Sequence, residues 1–470
     1  MSSVQMAASA AEGVDVSGNA TSISARLDRL PVGAFHYKMI AIIGAGLFLD
    51  GFELAMASGI LGQLVHDGWS NLKYNGYFVT ATFLGFMLGC WGAGVIGDRY
   101  GRRISYQLNL AIFGGASLLA VFAPNIEILI ALRFVMGIGL GAELVLGFAT
   151  LAEFVPPAKR GRLVATLSFI AQCGVFFSSL VAMWVIPHLG WRYMFLIAGI
   201  CAAAVWMMRK FMPESPRWLE SKGRFAEADT IVRVMEQASG VASPTFDAAK
   251  ARATASAANP QGDGVAVHVG IGELFKGGML RRTVIGIATM CVIQICVYGM
   301  VTWLPTFFVQ QGFNMVKSLQ WSTIMSFGGP VGGLLGLWLA DRLGRKPILI
   351  GAALLGIVIS IVYVQLRVDW LLMLFGFLLL TSFYIIIVVG QAVYMSELFP
   401  TRIRMRGNGL CSTISRLVAA SIQFVIPALF VWGGVNAIVA CVGISLFVFG
   451  TIVLTIGVET KSKPLEAIAE

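Results

Sequence analysis

"GDRYGRR", residues 97–103, returns later in the chain as "ADRLGRK", residues 340–346, which sets Asp98 and Asp341 243 residues apart. Two more pairs keep nearly the same spacing. "EFVPPAKRGR" (153–162) matches "ELFPTRIRMRG" (397–407), with Glu153 and Glu397 244 apart, and "PESPRW" (213–218) matches "VETKSKPLE" (458–466), with Glu214 and Glu459 245 apart. One such pair could be chance. Three at one offset imply two halves of the same parallel topology, a pattern typical of duplicated folds.

The composition says what the halves are made of. Of the 470 residues, 57% are hydrophobic and 12% charged, against about 25% charged in soluble domains. Mean hydropathy is +0.81. A bilayer-spanning helix needs about 20 mostly apolar residues, and twelve such runs can be read: 39–64, 75–97, 105–123, 126–154, 163–187, 191–212, 281–308, 318–340, 348–366, 369–397, 408–432 and 434–457. The expected fold is therefore an all-α integral membrane protein, six spans to a half, with a central cavity between the halves. The domains read as a polar N-terminal tail (1–38), a first half (39–212), a partly helical linker (213–280), a second half (281–457) and a C-terminal tail (458–470). The tail at 1–38 has no apolar core of the signal-peptide kind.

Basic residues choose the side. Arg99, Arg102 and Arg103 follow span 2; Lys159, Arg160 and Arg162 follow span 4; Arg342, Arg345 and Lys346 follow span 8; Arg402, Arg404 and Arg406 follow span 10. The opposite loops carry Lys73, Lys317 and Arg367 and little else. The positive-inside rule puts the arginine-rich loops, the linker and both termini in the cytoplasm. The net charge of +10 is thereby a topology signal, and no nucleic-acid partner is needed to explain it. The seven cysteines all fall inside apolar runs with no CxxC pair, which reads as core packing.

With these motifs in place, the chain resembles the major facilitator superfamily over essentially its full length. "GDRYGRR" is similar to that superfamily's loop 2–3 motif, and "PESPRW" to its sugar-porter-like branch. "RFVMGIGLGAE" (133–143), "YGMVTWLP" (298–305) and "SELFPTRIRMRGNG" (396–409) resemble bacterial niacin transporters and their relatives. "DGFE" (50–53) is similar to the Asp-Gly-aromatic-Asp motif of aromatic acid/proton symporters, with Glu53 replacing the second Asp. In the niacin-like group span 4 carries Gly-Gly-Glu; here Ala142 replaces the second Gly and Glu143 is retained. Sugar porters show a Gln-rich span 7, whereas "VIQICVYG" (292–299) holds only Gln294, which counts against sugars. The resemblance implies alternating access by rocking of one half against the other. Candidate gating residues are Asp98, Arg99, Arg102, Arg103, Glu153, Arg160 and Glu214, with Asp341, Arg342, Arg345, Glu397, Arg404 and Glu459 in the second half. A carboxylate beside clustered arginines can accept their hydrogen bonds or cap a helix N-terminus. The alternative is that these arginines only fix topology.

The deep charges do not repeat. Asp50 has its counterpart near Gln294, Glu143 near Ile387, and Arg416 near Gln172. An ionised side chain at mid-bilayer costs roughly 2.5–3.5 kcal/mol on insertion scales, so it must face a cavity or a partner. Asp50 and Glu53 are three residues apart on span 1 and are expected on the cavity side. Two nearby acids repel and desolvation disfavours their charged forms, so one of them can take up and release a proton; a structural ion pair is the alternative. Glu143 is a third candidate for proton coupling, although its glycine-rich neighbours equally suggest tight helix packing. Arg416 offers a planar fork that matches a carboxylate, or else serves a polar group of span 7 or 10. Tyr298, Trp303, Tyr384, Phe383 and Tyr394 could stack on a planar substrate or simply pack, and Gln172, Gln294 and Gln391 are hydrogen-bonding candidates.

Other classes lack their chemistry. There is no Gly-Lys dipeptide and so no phosphate-binding loop of the Walker type, and the four histidines (36, 66, 188 and 268) lie near predicted loops or helix ends. No cofactor or metal is called for, and no enzyme. The reading is a monomeric secondary transporter of a bacterial-type inner membrane, whose partners are protons, the bilayer and a small organic anion such as nicotinate or a benzoate-like acid. Uniport, an organic cation, a sugar or polyol, and a non-transporting receptor are the rivals.

Overall fold

The structure, a computed structural model, describes residues 23–241, 271–366, 368–399 and 404–460. A short helix α1 (Ile23–Arg29) precedes α2 (Ala34–His66), α3 (Leu72–Tyr100), α4 (Arg102–Ala120), α5 (Ile126–Phe154), α6 (Pro157–Leu189) and α7 (Arg192–Arg209), and two short helices follow, α8 (Pro216–Ser221) and α9 (Phe225–Ala238). The second half starts with α10 (Gly277–Gly299), which continues through a tight turn into α11 (Leu304–Gln310). Next, α12 (Met315–Ser326) runs into α13 (Gly328–Leu343), and α14 (Arg345–Gln365) follows. Then α15 (Asp369–Ile386) passes through a π-helical stretch (Ile387–Tyr394) into α16 (Met395–Leu398). The last element, α17 (Arg404–Ile456), holds two spans broken at Gly433 and Gly434, where the backbone leaves the helix.

These elements make the twelve expected rods. By length and hydropathy alone ten segments of the described residues qualify as spans. The difference is that Gly407–Ile456 is continuous in length and hydropathy across two spans, and that α4 is less apolar than the other spans. Arg102, Arg103, Gln107 and Asn109 on α4 explain the second shortfall.

Helix packing inside each half uses bare backbone. A methyl group added to Gly85, Gly89, Gly137 or Gly141 would run into main-chain carbonyls across the α3–α5 seam, and one added to Gly51 or Gly174 would do so across α2–α6. Small residues let helices approach closely where lipid provides no hydrophobic drive for association. Leu49, Phe52, Phe78, Phe83 and Phe113 fill the spaces beside these seams.

The repeated motifs build one clamp twice. Glu214 accepts from the backbone N–H groups of Arg102 (2.8 Å) and Arg103 (3.2 Å), and Glu459 does the same for Arg345 (3.1 Å) and Lys346 (3.0 Å). Each carboxylate thus satisfies the open N–H groups of a helix start. Gly101 and Gly344 precede these helices at φ 97° and 95°, and the carboxylate occupies the space a side chain would need there. The two guanidinium groups turn to Glu153 and Glu397, with Nη2 contacts of 2.7 and 2.8 Å. Asp98 adds a bond from Arg102 at 2.9 Å. Arg99 stacks on Tyr100, Arg342 on Trp338, and Arg103 donates to the Lys210 carbonyl. These contacts are of the two kinds expected of the carboxylates, accepting from arginine of a neighbouring helix and capping a helix start; every one of them stays within its own half, so in this conformation they fasten each half internally. The side chains of Arg160, Asp341 and Arg404 lie outside the described residues.

Within the described parts of the tail and linker, helices α1, α8 and α9 form. α1 docks on α9: Arg26 is fully buried and donates to Asp229 (2.6 Å) and to both oxygens of Glu236 (3.0 and 2.8 Å). Burial by itself would lower the pKa of Arg26, but the bonds to Glu236 and Asp229 more than reverse that, and it rises. Ile23 and Leu27 bury beside Trp218, Val232 and Met235. This cap is tied to the first half by Arg217, which donates to the Glu153 carbonyl, and by Trp218, which donates to the Asp98 carbonyl.

Two outcomes follow. Gly137→Val should overpack the α3–α5 seam and cost about 1–3 kcal/mol or more, visible as a lower thermal transition in detergent, whereas Gly115→Val, with open space around it, should leave the transition in place. Arg26→Ala should cost about 1.5–3 kcal/mol locally, because Glu236 and Asp229 lose their buried partner and keep the more exposed Arg29 (3.2 Å) and Arg233 (2.7 Å) respectively, seen as faster proteolysis within α1 and α9 while the spans stay protected.

Candidate functional site

Asp50 lies sixteen residues from either end of α2, at the middle of a helix about 50 Å long. It opens onto a cavity of ≈ 150 Å³ between the halves. Four pseudo-equivalent positions meet there: Asp50 and Gln294 form one pair under the repeat, Gln172 and Arg416 the other. Gln391, Tyr298 and Tyr384 join them, with Phe86, Leu54 and Val297 among the apolar walls. Space on the order of 150 Å³ accommodates one benzene-sized ring.

The three acids of the first half have different surroundings. The residues of α2 that line the cavity include Leu47, Gly51, Leu54 and Ser58. At about 100° per residue Asp50 lies at the margin of that stripe, and Glu53 roughly 60° further round. The expectation that both acids face the cavity is corrected accordingly: Glu53 is fully buried and paired with Arg133 of α5. Arg133 also bonds Thr82 (3.2 Å) and stacks on Phe78. One turn to the other side of Asp50, Gly46 leaves room for a second pair. There Glu143 is gripped through both oxygens by Arg209 of α7 and accepts from Asn109 at 2.9 Å. Arg209 in addition reaches the Ile43 carbonyl (3.2 Å) and lies over the Tyr106 ring.

Asp50 differs from both. Among the described residues its Oδ2 atom is buried without a hydrogen-bond partner, and it forms no ion pair. Arg416 is its counterpart in the second half. Its guanidinium lies 4.4 Å from the Phe86 ring centroid and beside Tyr298, and it too forms no ion pair among the described residues. The cavity therefore presents one carboxylate and one guanidinium that the protein does not neutralise with each other.

Several aromatic candidates belong to the packing. Trp303 is fully buried away from the cavity: its Nε1 donates to Gln423 (2.9 Å) and its ring stacks on Phe307, which stacks on Phe430. Tyr394 both donates to and accepts from the backbone of Val458, and Phe383 lies in the second half's core. Tyr298 meets Phe83 edge-on at 4.5 Å across the two halves. Arg133 and Arg209 are the residues that sequence reasoning missed. Arg133 stands inside an apolar run in "LRFVMG", and matching each deep acid with a deep base would have found it. Arg209 sits near the end of its run and reads as an ordinary interfacial cation.

The halves touch at the end away from the arginine-rich loops. Thr80 bonds the Ala420 carbonyl (3.3 Å), Thr323 bonds the Ser179 carbonyl (3.0 Å), and Gly59 and Gly62 face Leu319, Pro305 and Met315. At the other end, among the described residues, nothing lies within 4 Å of a methyl group built on Gly92 or Gly94 of α3 or on Gly409 of α17.

A family profile described as sugar (and other) transporter matches residues 38–470. The chain belongs to this family of the major facilitator superfamily. It is 34% identical over 453 residues to the inner membrane metabolite transport protein YdjE of Escherichia coli, covering 95% of this chain and 98% of YdjE. It is 30% identical over 445 residues to the niacin transporter NiaP of Acinetobacter baylyi, covering 94% and 98%. Its fold matches the inward open conformation of the E. coli xylose transporter XylE with a TM-score of 0.71 at 19% identity, over 92% of this chain and 99% of that one. The protein is thus a multi-pass membrane transporter of a metabolite and not an enzyme.

The buried pairs carry a clear expectation. Arg133→Met should lower stability by about 3–5 kcal/mol because it strands Glu53, and adding Glu53→Leu should recover most of it; thermal unfolding of the three variants measures both steps.

Proposed function

We propose that this transporter takes up a small aromatic or heteroaromatic monocarboxylate, nicotinate- or benzoate-like, together with protons. The observation that carries the reading is the coexistence, in one ring-sized cavity, of an unpaired guanidinium at Arg416 and an unpartnered carboxylate at Asp50. Arginine stays charged and holds a carboxylate through two parallel bonds. Asp50 takes the proton, and Tyr298, Tyr384 and Phe86 flank the ring. A cation is disfavoured in the same space by Arg416. The name of NiaP, a niacin transporter, fits this substrate class.

Glu53 and Glu143 join the proton path only as the charges that surround Asp50, since each is held by its own arginine. With the arginine-rich loops in the cytoplasm of an inner membrane, the open end faces inward and the sealed end outward. Binding and protonation would then shift the balance between two such states. A membrane potential supplies roughly 2.3 kcal/mol per charge per 100 mV, or about fiftyfold accumulation for one net positive charge. A monoanion would need two protons to bring in one net charge; with the single proton that Asp50 takes, the cycle moves no net charge and the proton concentration gradient drives it.

Proteoliposome uptake of labelled nicotinate and benzoate tests this. An inward proton gradient should drive accumulation in wild type. Asp50→Asn should abolish gradient-driven accumulation while retaining binding, and Arg416→Lys should weaken binding about tenfold or more through loss of the fork geometry. Equilibration indifferent to the gradient would make the protein a uniporter, and no uptake of either acid by folded protein would remove the carboxylate reading.

A further inference from the structure

The cavity holds more hydrogen-bonding capacity than a bare aromatic acid can use. Gln172 on α6, Gln294 on α10 and Gln391 in the π-helical stretch all line it. Among the described residues none of these three amides has a hydrogen-bond partner. Each offers two N–H donors and a carbonyl acceptor. Gln423 shows what these helices do with a glutamine that has no ligand to meet. It is fully buried, its Oε1 accepts from Trp303 at 2.9 Å, and its Nε2 donates to the carbonyls of Tyr298 (3.2 Å) and Ala419 (3.1 Å). The three cavity amides are left unspent by comparison.

While the cavity stands open, water serves those groups. Once the halves close on a substrate the water goes, and an amide without a partner then weakens binding. A site built around such groups discriminates strongly against an analogue that lacks the matching hydroxyl. Benzoate gives Arg416 its carboxylate and leaves all three amides empty. A pyridine nitrogen occupies a single donor.

The geometry points to a ring monocarboxylate bearing two or more hydroxyl groups as the preferred substrate, its carboxylate at Arg416 and its hydroxyls read by Gln172, Gln294 and Gln391. This rests on the carboxylate reading above and narrows it. The amides come from both halves of the protein, so the hydroxyls lie on more than one edge of the ring. The apolar walls and a space on the order of one benzene ring suit a single flat ring between them. Hydroxyls on opposite edges also give the substrate a hand in closure, because only a molecule that bonds both halves draws them together.

Binding to the purified full-length protein tests the assignment, with benzoate, monohydroxy-, dihydroxy- and trihydroxybenzoate and the neutral polyol inositol as probes. Affinity should rise about tenfold for each hydroxyl that meets an amide. Gln294→Leu and Gln391→Leu should collapse the ratio of trihydroxybenzoate to benzoate affinity toward one. The wild-type series needs no variant and decides the matter even if a substitution impairs folding. Benzoate binding as tightly as its hydroxylated forms, in a manner lost in Arg416→Gln, would overturn this inference and leave the carboxylate reading standing. Inositol binding as tightly as the hydroxy acids, with no response to Arg416→Gln, would overturn both.

Discussion

An ionised side chain inside a bilayer must find an opposite charge or stay where water and ligand can reach it, and the first half is arranged around that constraint. Along one side of α2 come three levels: Gly46, where Glu143 meets Arg209; Asp50; and Glu53, where it meets Arg133. The outer two levels are neutral as pairs. The middle level is open. A single unneutralised carboxylate thus stands at the centre of the molecule, between two places where the same chemistry has been made inert.

The neutral levels also explain why the cores can be so polar. Arg133 and Arg209 each stack on an aromatic ring, Phe78 and Tyr106, and spend their remaining donors on Thr82 and on α2 carbonyls. Pairing alone seldom repays the loss of solvation in a low-dielectric interior, and the added bonds and ring contacts offset part of that cost; they do so more fully for Glu143, bonded through both oxygens, than for Glu53, whose Oε2 has no hydrogen-bond partner among the described residues. Because α2, α5 and α7 are joined by these pairs as well as by glycine seams, the first half behaves as one body. The second half repeats the seams and the basic-end clamp with Arg345, Glu397 and Glu459, but among the described residues it has no deep ion pair.

Much of this was legible in the chain. The repeat offset placed Asp50 opposite Gln294 and Gln172 opposite Arg416, and all four line one cavity. The same offset found both copies of the clamp, since a glycine at positive φ, a basic pair and a carboxylate 112 residues after Arg102 are needed together. What stayed hidden was rotation. A three-residue spacing puts Asp50 and Glu53 on neighbouring lines of a helix, and only the position of α5 decides that one faces a cavity and the other an arginine. Trp303 failed for the same reason, because its depth was readable and its direction was not. The docking of α1 on α9 depends on partners more than 200 residues away and leaves no periodic trace between them.

That docking has a consequence in time. Arg26 and Glu236 are 210 residues apart, and at about 5–20 residues per second of synthesis the arginine is made roughly 10–40 s before the acid that will hold it. In that interval the six spans of the first half must be threaded into the bilayer. The tail helix therefore waits, exposed, and is fastened down only when the first half has been completed. Its burial records that the earlier steps of membrane insertion have succeeded.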